Sequence, residues 1–124
     1  MWIQMVDRAV SVVQHPTDAA LMQIRGRLKS DVEGLGAPVQ SSPERDYAYR
    51  VIVSKARWLE ILAAWGAGVA YTNFKDAVHQ KKGRNAAARG AAYWHVYEAI
   101  QRYLSDGSQS LVRRRDVDFR EGLL

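Results

Sequence analysis

The chain has 124 residues, of which 48% are hydrophobic and 25% are charged, a composition typical of one small globular domain. It contains no cysteine, which excludes disulfides, thiol nucleophiles and cysteine-bound zinc. The formal net charge is +5 at pH 7. No stretch reaches the roughly 18 apolar residues that a membrane span requires. The sequence therefore predicts a cytoplasmic protein with no membrane partner.

The first half of the chain predicts three or four β-strands. The segment RAVSVVQHP is rich in valine and stops at Pro16, and MWIQMV either extends this strand or forms another. In ALMQIRGRL, alternation places Ile24 on one face of a strand, and Arg25 and Arg27 on the other. A short helical segment is expected in KSDVEGLGAP, with Ser30 as its N-cap, and QSSPER is expected to be a loop.

The segment DYAYRVIVS predicts the next strand. Its alternation groups Tyr47 and Tyr49 with Val51 and Val53, and turns Arg50 to the opposite face.

The second half of the chain is predicted to be mainly helical. Ser54 is the expected N-cap of a helix whose apolar residues recur at helical spacing. Thr72 or Asn73 starts a second, shorter helix, and a third follows the basic segment QKKGRNAAARG. The predicted core combines residues from strands and helices: Met22, Ile24, Trp58, Leu62, Trp65, Val96 and Ile100.

These elements predict an α+β fold, a small antiparallel sheet of three or four strands with helices packed on one face. We expect a single domain over residues 1–104 and a flexible C-terminal arm over residues 105–124.

Four segments resemble a known pattern. In the order IRGRLKSDV, DYAYRVIV, YTNFKDAV and YWHVYEAI, they resemble the landmarks of an uncharacterised family of small bacterial and phage proteins. That family reads R-x-R followed by D-L, then D-Y-x-Y-R, D-Y-x-N-F-K and Y-x-x-V-W. The resemblance covers residues 10–104, with departures at Val32, Ala70 and Tyr97, where the pattern has Leu, Asp and Trp. It implies no established function.

The sequence offers little support for catalysis. None of the histidines, His15, His79 and His95, forms an H-E-x-x-H motif, and no G-x-S-x-G motif is present. Phosphate-binding and dinucleotide-binding glycine motifs are also missing. We therefore predict no catalytic residues, no metal and no cofactor.

The strongest functional signal is a set of cations on predicted regular structure: Arg25, Arg27, Arg50 and Lys75. A charged side chain on a half-buried strand needs a partner, because an unpaired buried charge is costly. The partner is either an internal carboxylate, from Asp31, Asp46, Glu44 or Asp76, or an anionic ligand, to which the planar fork of arginine is well matched. The third alternative is that these cations are simply exposed to solvent. Tyr47 and Tyr49 beside Arg50 are candidates for stacking on a base or for ordinary packing.

A second basic region lies at residues 81–104, which carry five basic and one acidic side chain. Lys81, Lys82, Arg84 and Arg89 form a candidate polyanion-binding loop or a solvated loop between helices.

Two functions follow from these residues. One is a non-enzymatic binding module for a phosphate-bearing ligand, a nucleotide or nucleic acid, held by the strand arginines and the basic loop. The alternative is a protein-interaction or oligomeric module, for example a phage-encoded inhibitor of a host complex.

Overall fold

The computed structural model describes residues 1–83 and 85–107. Within these residues the chain forms five strands, a short 3-10 turn at Lys29–Asp31 and three α-helices. The strands are β1 (Trp2–Gln4), β2 (Ala9–Gln14), β3 (Leu21–Gly26), β4 (Gln40–Ser41) and β5 (Tyr49–Ser54). The helices are α1 (Lys55–Ala67), α2 (Phe74–Gln80) and α3 (Ala86–Arg102), the last followed by a π-helical turn at Tyr103–Gly107.

The five strands form one antiparallel sheet in the order β1-β2-β3-β5-β4. The predicted α+β class is confirmed, but the predicted number of three or four strands is wrong. The segment MWIQMV supplies β1 as a strand of its own at one edge. At the other edge, two residues of the predicted loop QSSPER pair with β5 as β4. Two polar residues are too few to show strand alternation, which is why the sequence missed β4.

One face of the sheet is apolar and holds the core. Ile24 of β3 lies opposite Val51 of β5, and both are fully buried. Helix α1 packs on this face through Trp58 and Ile61. We call this side of the sheet the apolar face. The fully assembled core comprises Val10, Val12, Ile24, Val32, Leu35, Val51, Val53, Trp58 and Ile61.

The chain that follows β3 packs into the same core through Val32 and Leu35. Its anchor is Asp31, which is buried, and whose carboxylate accepts hydrogen bonds from the Ala9 and Leu28 N–H groups at 3.2 Å each. The predicted Ser30 cap is wrong, because the turn starts at Lys29 and the Asp31 carboxylate binds the N–H group that precedes it.

Two side-chain caps set the starts of α1 and α2. The Ser54 hydroxyl accepts a hydrogen bond from the Arg57 N–H at 3.0 Å, and the Asn73 carbonyl accepts one from the Asp76 N–H at 3.0 Å. Each satisfies an N–H group that has no partner within its own helix. The Ser54 cap is confirmed, and Asn73 rather than Thr72 caps the shorter helix.

The predicted core is confirmed in part. Ile24 and Trp58 are buried, and Met22, Leu62 and Trp65 pack partly buried against the core. Val96 and Ile100, both on α3, are 40% and 52% exposed, so their placement in the core was wrong. Helical spacing shows which side of a helix is apolar but does not show what covers it.

Helix α3 has no buried residue. The chain divides into two compact units, Met1–Ala86 and Ala87–Leu124, and α3 belongs to the second apart from its first residue. Most of the predicted C-terminal arm, residues 105–124, lies outside the described residues. No helix in the described ranges is both long enough and apolar enough to cross a membrane.

Candidate functional site

The second face of the sheet bears a row of polar and charged side chains. In register across three strands, Ser11 of β2 lies opposite Arg25 of β3, and Arg25 lies opposite Arg50 of β5. Side chains directly opposite on antiparallel strands have Cβ atoms about 5 Å apart. We call this side of the sheet the charged face. The prediction from alternation, that Arg25 and Arg50 point away from Ile24 and Val51, is in accord with the burial of the latter pair in the core.

The ring of Tyr47 contacts two arginines of β3 and the residues after it. Tyr47 lies in the loop that joins β4 to β5, and the guanidinium carbons of Arg25 and Arg27 lie 4.8 Å and 4.4 Å from the centroid of its ring. These distances are typical of cation–π contacts. We call Arg25, Arg27 and Arg50, together with Tyr47, the arginine cluster.

The two tyrosines near the start of β5 have different surroundings. Tyr49, the first residue of the strand, packs against the core. Tyr47 precedes the strand, so alternation does not fix its direction, and its ring lies against Arg25 and Arg27. The expectation that both tyrosines share one face therefore fails, because it extended the strand period into the loop.

Arg50 is the buried member of the cluster, with 8% of the residue exposed. Its Nη1 donates to the Gln23 Oε1 at 3.1 Å, and its Nη2 donates to the Tyr47 carbonyl at 3.2 Å. Its Nε is buried and has no hydrogen-bond partner. Within residues 1–83 and 85–107, no carboxylate forms an ion pair with Arg50. Its hydrogen-bond partners are therefore all neutral.

The pKa of Arg50 is lowered in these surroundings. Desolvation by burial lowers the pKa of Arg50, and repulsion from Arg45 and Arg25 lowers the pKa further, against an opposing effect of Glu44. The guanidinium remains charged at neutral pH, since arginine is not deprotonated in proteins. The fold thus holds a charged group in surroundings that disfavour the charge.

Arg25 has a similar set of contacts. Its Nη2 donates to the Ser11 hydroxyl at 2.7 Å, while its buried Nε lacks a hydrogen-bond partner. No ion pair to Arg25 is present among the described residues.

Arg27, by contrast, pairs with a carboxylate. Its Nε and Nη2 donate to the Asp46 Oδ1 and Oδ2 at 3.3 Å and 3.1 Å, and both side chains are more than half exposed. Desolvation alone would lower the Arg27 pKa, but the neighbouring Tyr47 and Asp46 raise the pKa overall. Asp46, one of the partners considered for Arg50, is thus bound to Arg27.

Exposure increases across the cluster. Arg50 is buried, Arg25 is half-buried and Arg27 is exposed. An anion arriving from solvent therefore reaches Arg27 most easily, while Arg50 adds positive charge from beneath the surface. Guanidinium groups so arranged are suited to bind an oxyanion through forked hydrogen bonds.

The other predicted cations lie on other elements. Lys75 is exposed on α2, and Lys81 and Lys82 follow that helix and are also exposed. Arg89 is half-buried on α3. Arg84 lies outside the described residues. The predicted polyanion-binding loop is thus divided between the end of α2 and the beginning of α3.

The structure also contains a groove that the sequence did not reveal. It has a volume of about 690 Å³ and is lined by β1 and the turn after it, by the C-terminal half of α1 and the loop that follows, and by Ala77 of α2. Most lining residues are apolar, including Ile3, Leu62 and Trp65, and Asp7 and Lys81 are charged. Gly66 and Gly68 of the segment WGAGV both line the groove.

Metal-binding and catalytic arrangements are not apparent in the part of the chain that the structure describes. No group of three or more His, Asp or Glu side chains there is placed to hold a metal ion. His95 lies 3.8 Å from Glu98 on an exposed side of α3, and His15 contacts Thr17 in a turn. The arginine cluster therefore remains the most distinctive polar arrangement of the first unit.

No family model, curated protein or solved structure matches the chain.

Proposed function

We propose that the protein is a binding module for a phosphate-bearing ligand and that the arginine cluster is its binding site. The observation on which this proposal depends is Arg50, a buried guanidinium with neutral hydrogen-bond partners and an unpartnered Nε. Removing a charge from water is costly unless an opposite charge compensates. A bound anion would supply the missing compensation.

The neighbours of Arg50 strengthen this argument. Arg25 lies directly opposite on β3, and it too has a buried Nε without a partner. Like charges directly opposite each other in a sheet destabilise it. If these arginines served only to connect strands, uncharged side chains could make the same bonds to Gln23 and Ser11 at lower electrostatic cost. An anion near Arg25 and Arg27 turns this repulsion into attraction.

Tyr47 supports the site by positioning cations. Two guanidinium groups lie over its ring, which restricts the arginine side chains and reduces the entropy lost when an anion binds. Its carbonyl also accepts from Arg50. We therefore assign Tyr47 to the organisation of the site rather than to stacking on a base.

Thermal unfolding tests the proposal. The wild-type protein should be stabilised by sodium phosphate relative to sodium chloride at equal ionic strength, because a ligand that binds the folded state stabilises it by mass action. Arg27→Gln and Arg25→Gln should each reduce this stabilisation.

The matched control is Arg57→Gln on α1. Arg57 is also a surface arginine with a carboxylate partner, Glu60, at 3.1 Å. This variant should keep the full response to phosphate, because Arg57 lies outside the arginine cluster. The control is needed because phosphate also stabilises proteins non-specifically, by exclusion from their surfaces. An equal response in all four proteins would remove the proposed site.

A second candidate function, an oligomeric module, is favoured by α3. This 17-residue helix has no buried residue, and it exposes Trp94, Val96, Tyr97 and Ile100. Helices are marginal in water without tertiary packing. A second copy of the chain is the occupant that we propose for α3, because a symmetric contact would cover both apolar surfaces at once.

Sedimentation analysis tests this candidate. The wild type should form a dimer that dissociates when Trp94 and Ile100 are both changed to serine. A wild-type monomer at high micromolar concentration would contradict it.

A further inference from the structure

The Arg27–Asp46 pair bears on which class of anion the arginine cluster could bind. The two residues form forked hydrogen bonds, Nε to Oδ1 at 3.3 Å and Nη2 to Oδ2 at 3.1 Å. The side chains are 59% and 73% exposed. Exposed ion pairs contribute little to stability. The Asp46 carboxylate is therefore an internal anion, weakly held, on the most accessible arginine of the cluster.

An external anion must displace this carboxylate before it can bind Arg27 through the same fork. Because Asp46 is attached to the chain, it competes at an effective concentration in the millimolar range. It reduces the affinity of every competing anion by the same factor. The order of affinities among anions is therefore unchanged by Asp46 and depends on their charge and their additional contacts.

Charge separates the two kinds of phosphate. A phosphodiester carries one negative charge, the same as Asp46, so exchanging the two gains little. A phosphomonoester carries about −1.5 to −2 at pH 7 and has three acceptor oxygens. Arg25 and Arg50, which have no carboxylate partner among the described residues, would stabilise the additional charge.

The compact shape of the cluster leads to the same choice. Arg25 and Arg50 are paired across adjacent strands, and Arg25 and Arg27 contact one ring. Proteins that bind a nucleic-acid backbone use an extended basic groove with several stacking aromatics. Here the cross-strand pair and the shared contact with Tyr47 place the three arginines close together rather than along an extended groove.

We infer that the arginine cluster binds a terminal phosphomonoester, which displaces the Asp46 carboxylate from Arg27, and that Asp46 sets the affinity threshold of the site. This inference rests on the proposed function. The phosphomonoester belongs either to a small molecule or to the phosphorylated end of an oligonucleotide.

Calorimetric titration at constant ionic strength tests the inference with matched ligands. Adenosine 5′-monophosphate and adenosine 3′,5′-cyclic monophosphate share base and sugar but differ in phosphate charge. The wild type should bind the 5′-monophosphate at least tenfold more tightly. Its affinity should fall between pH 7.5 and pH 5, because the second phosphate pKa is about 6. The affinity for the cyclic diester should not change.

Asp46→Asn should raise the affinity for the 5′-monophosphate about twofold to fivefold, the factor that corresponds to loss of an exposed ion pair. Asp18→Asn is the matched control, since Asp18 is exposed and precedes β3, whereas Arg27 follows it. The control removes the same charge about 20 Å away, by the rise of a strand, and should change affinity less than twofold.

The possible failures are distinguishable. If the wild type binds the 5′-monophosphate and Asp46→Asn binds it with equal or lower affinity, then Asp46 is not displaced, although the proposed function survives. Equal affinity for the cyclic diester, or for an oligonucleotide with and without a 5′-phosphate, would overturn the choice of a phosphomonoester. Tighter binding of the 5′-phosphorylated oligonucleotide than of the free nucleotide would identify a nucleic-acid end as the source. If neither the wild type nor Asp46→Asn binds any of these anions, the proposed function itself fails.

Discussion

The two faces of the sheet are built from alternate residues of the same strands, yet they differ in what stabilises them. On the apolar face, Ile24 and Val51 lie opposite each other and are fully buried beneath α1. On the charged face, their chain neighbours Arg25 and Arg50 also lie opposite each other. There, neutral hydrogen bonds and an aromatic ring stand in place of apolar packing.

The two faces differ in whether burial of their side chains stabilises the fold. Burial of Ile24 and Val51 follows directly from the hydrophobic effect. Burial of Arg50 with an unpartnered Nε adds a cost that folding alone does not explain. Places where a protein departs from local physical consistency are often functional. This contrast is why we propose the charged face as the binding surface.

The largest expected effect tests the apolar face. Ile24→Ala should lower the free energy of unfolding by about 2–5 kcal/mol, because it leaves a cavity in a packed core. Ile52→Ala is the matched control, since Ile52 is half-buried and lies opposite Gln23 on the charged face. It should cost less than half as much in urea denaturation. Equal losses would mean that the two faces are not packed differently.

A smaller effect is expected where β3 leads into the buried Asp31. A Cβ added at Gly26 would lie 2.6 Å from the Asp31 Cβ, so Gly26→Ala should destabilise the protein by about 1–3 kcal/mol. Gly66→Ala on α1 should have the opposite sign, because its Cβ would meet no atom within 4 Å and alanine favours a helix by about 0.5–1 kcal/mol. Thermal unfolding of both variants gives the comparison, and a stable Gly26→Ala protein would contradict it.

The smallest effect tests the charged face itself. Arg50→Met should leave the free energy of unfolding unchanged or raise it by about 1 kcal/mol, because it removes an unpaired buried charge. Arg57→Met should instead destabilise the protein by up to about 1 kcal/mol, since Arg57 has a carboxylate partner in Glu60. Urea denaturation in the absence of phosphate measures both.

The pH dependence of this effect follows from the direction of the pKa shift. Burial and like charges lower the pKa of Arg50, so folding disfavours its protonated form. Stability would be regained only as pH rises through the lowered pKa. Because arginine stays protonated near neutrality, the difference in the free energy of unfolding between wild type and Arg50→Met should be constant from pH 5 to pH 9.

A decrease of more than about 2 kcal/mol in the free energy of unfolding of Arg50→Met would show that the arginine is a structural requirement.

The sequence predicted the parts of the fold that depend on local periodicity. Alternation in β3 and β5 assigned Ile24 and Val51 to one face and their arginine neighbours to the other. The Ser54 side chain marked the start of α1. These features depend on a few adjacent residues and on standard backbone geometry. A single sequence is therefore enough to predict them.

The features that the sequence missed depend on contacts between distant segments. Strand β4 exists because two polar residues reach the edge of β5. Val96 and Ile100 have helical spacing, but they are exposed. Tyr47 lies with Arg25 and Arg27 because the loop before β5 turns it there. The sequence identified every arginine of the cluster, but it did not predict that Asp46 binds Arg27 and leaves Arg50 with neutral partners.

The most direct test of the central claim, that the charged face binds phosphate, is an NMR titration that observes the Nε–H groups of arginine. As adenosine 5′-monophosphate is added, the resonances of Arg25, Arg27 and Arg50 should shift together with one dissociation constant, while that of Arg57 stays in place. If the three resonances do not move, or if Arg57 shifts as much as they do, the charged face is not the binding site.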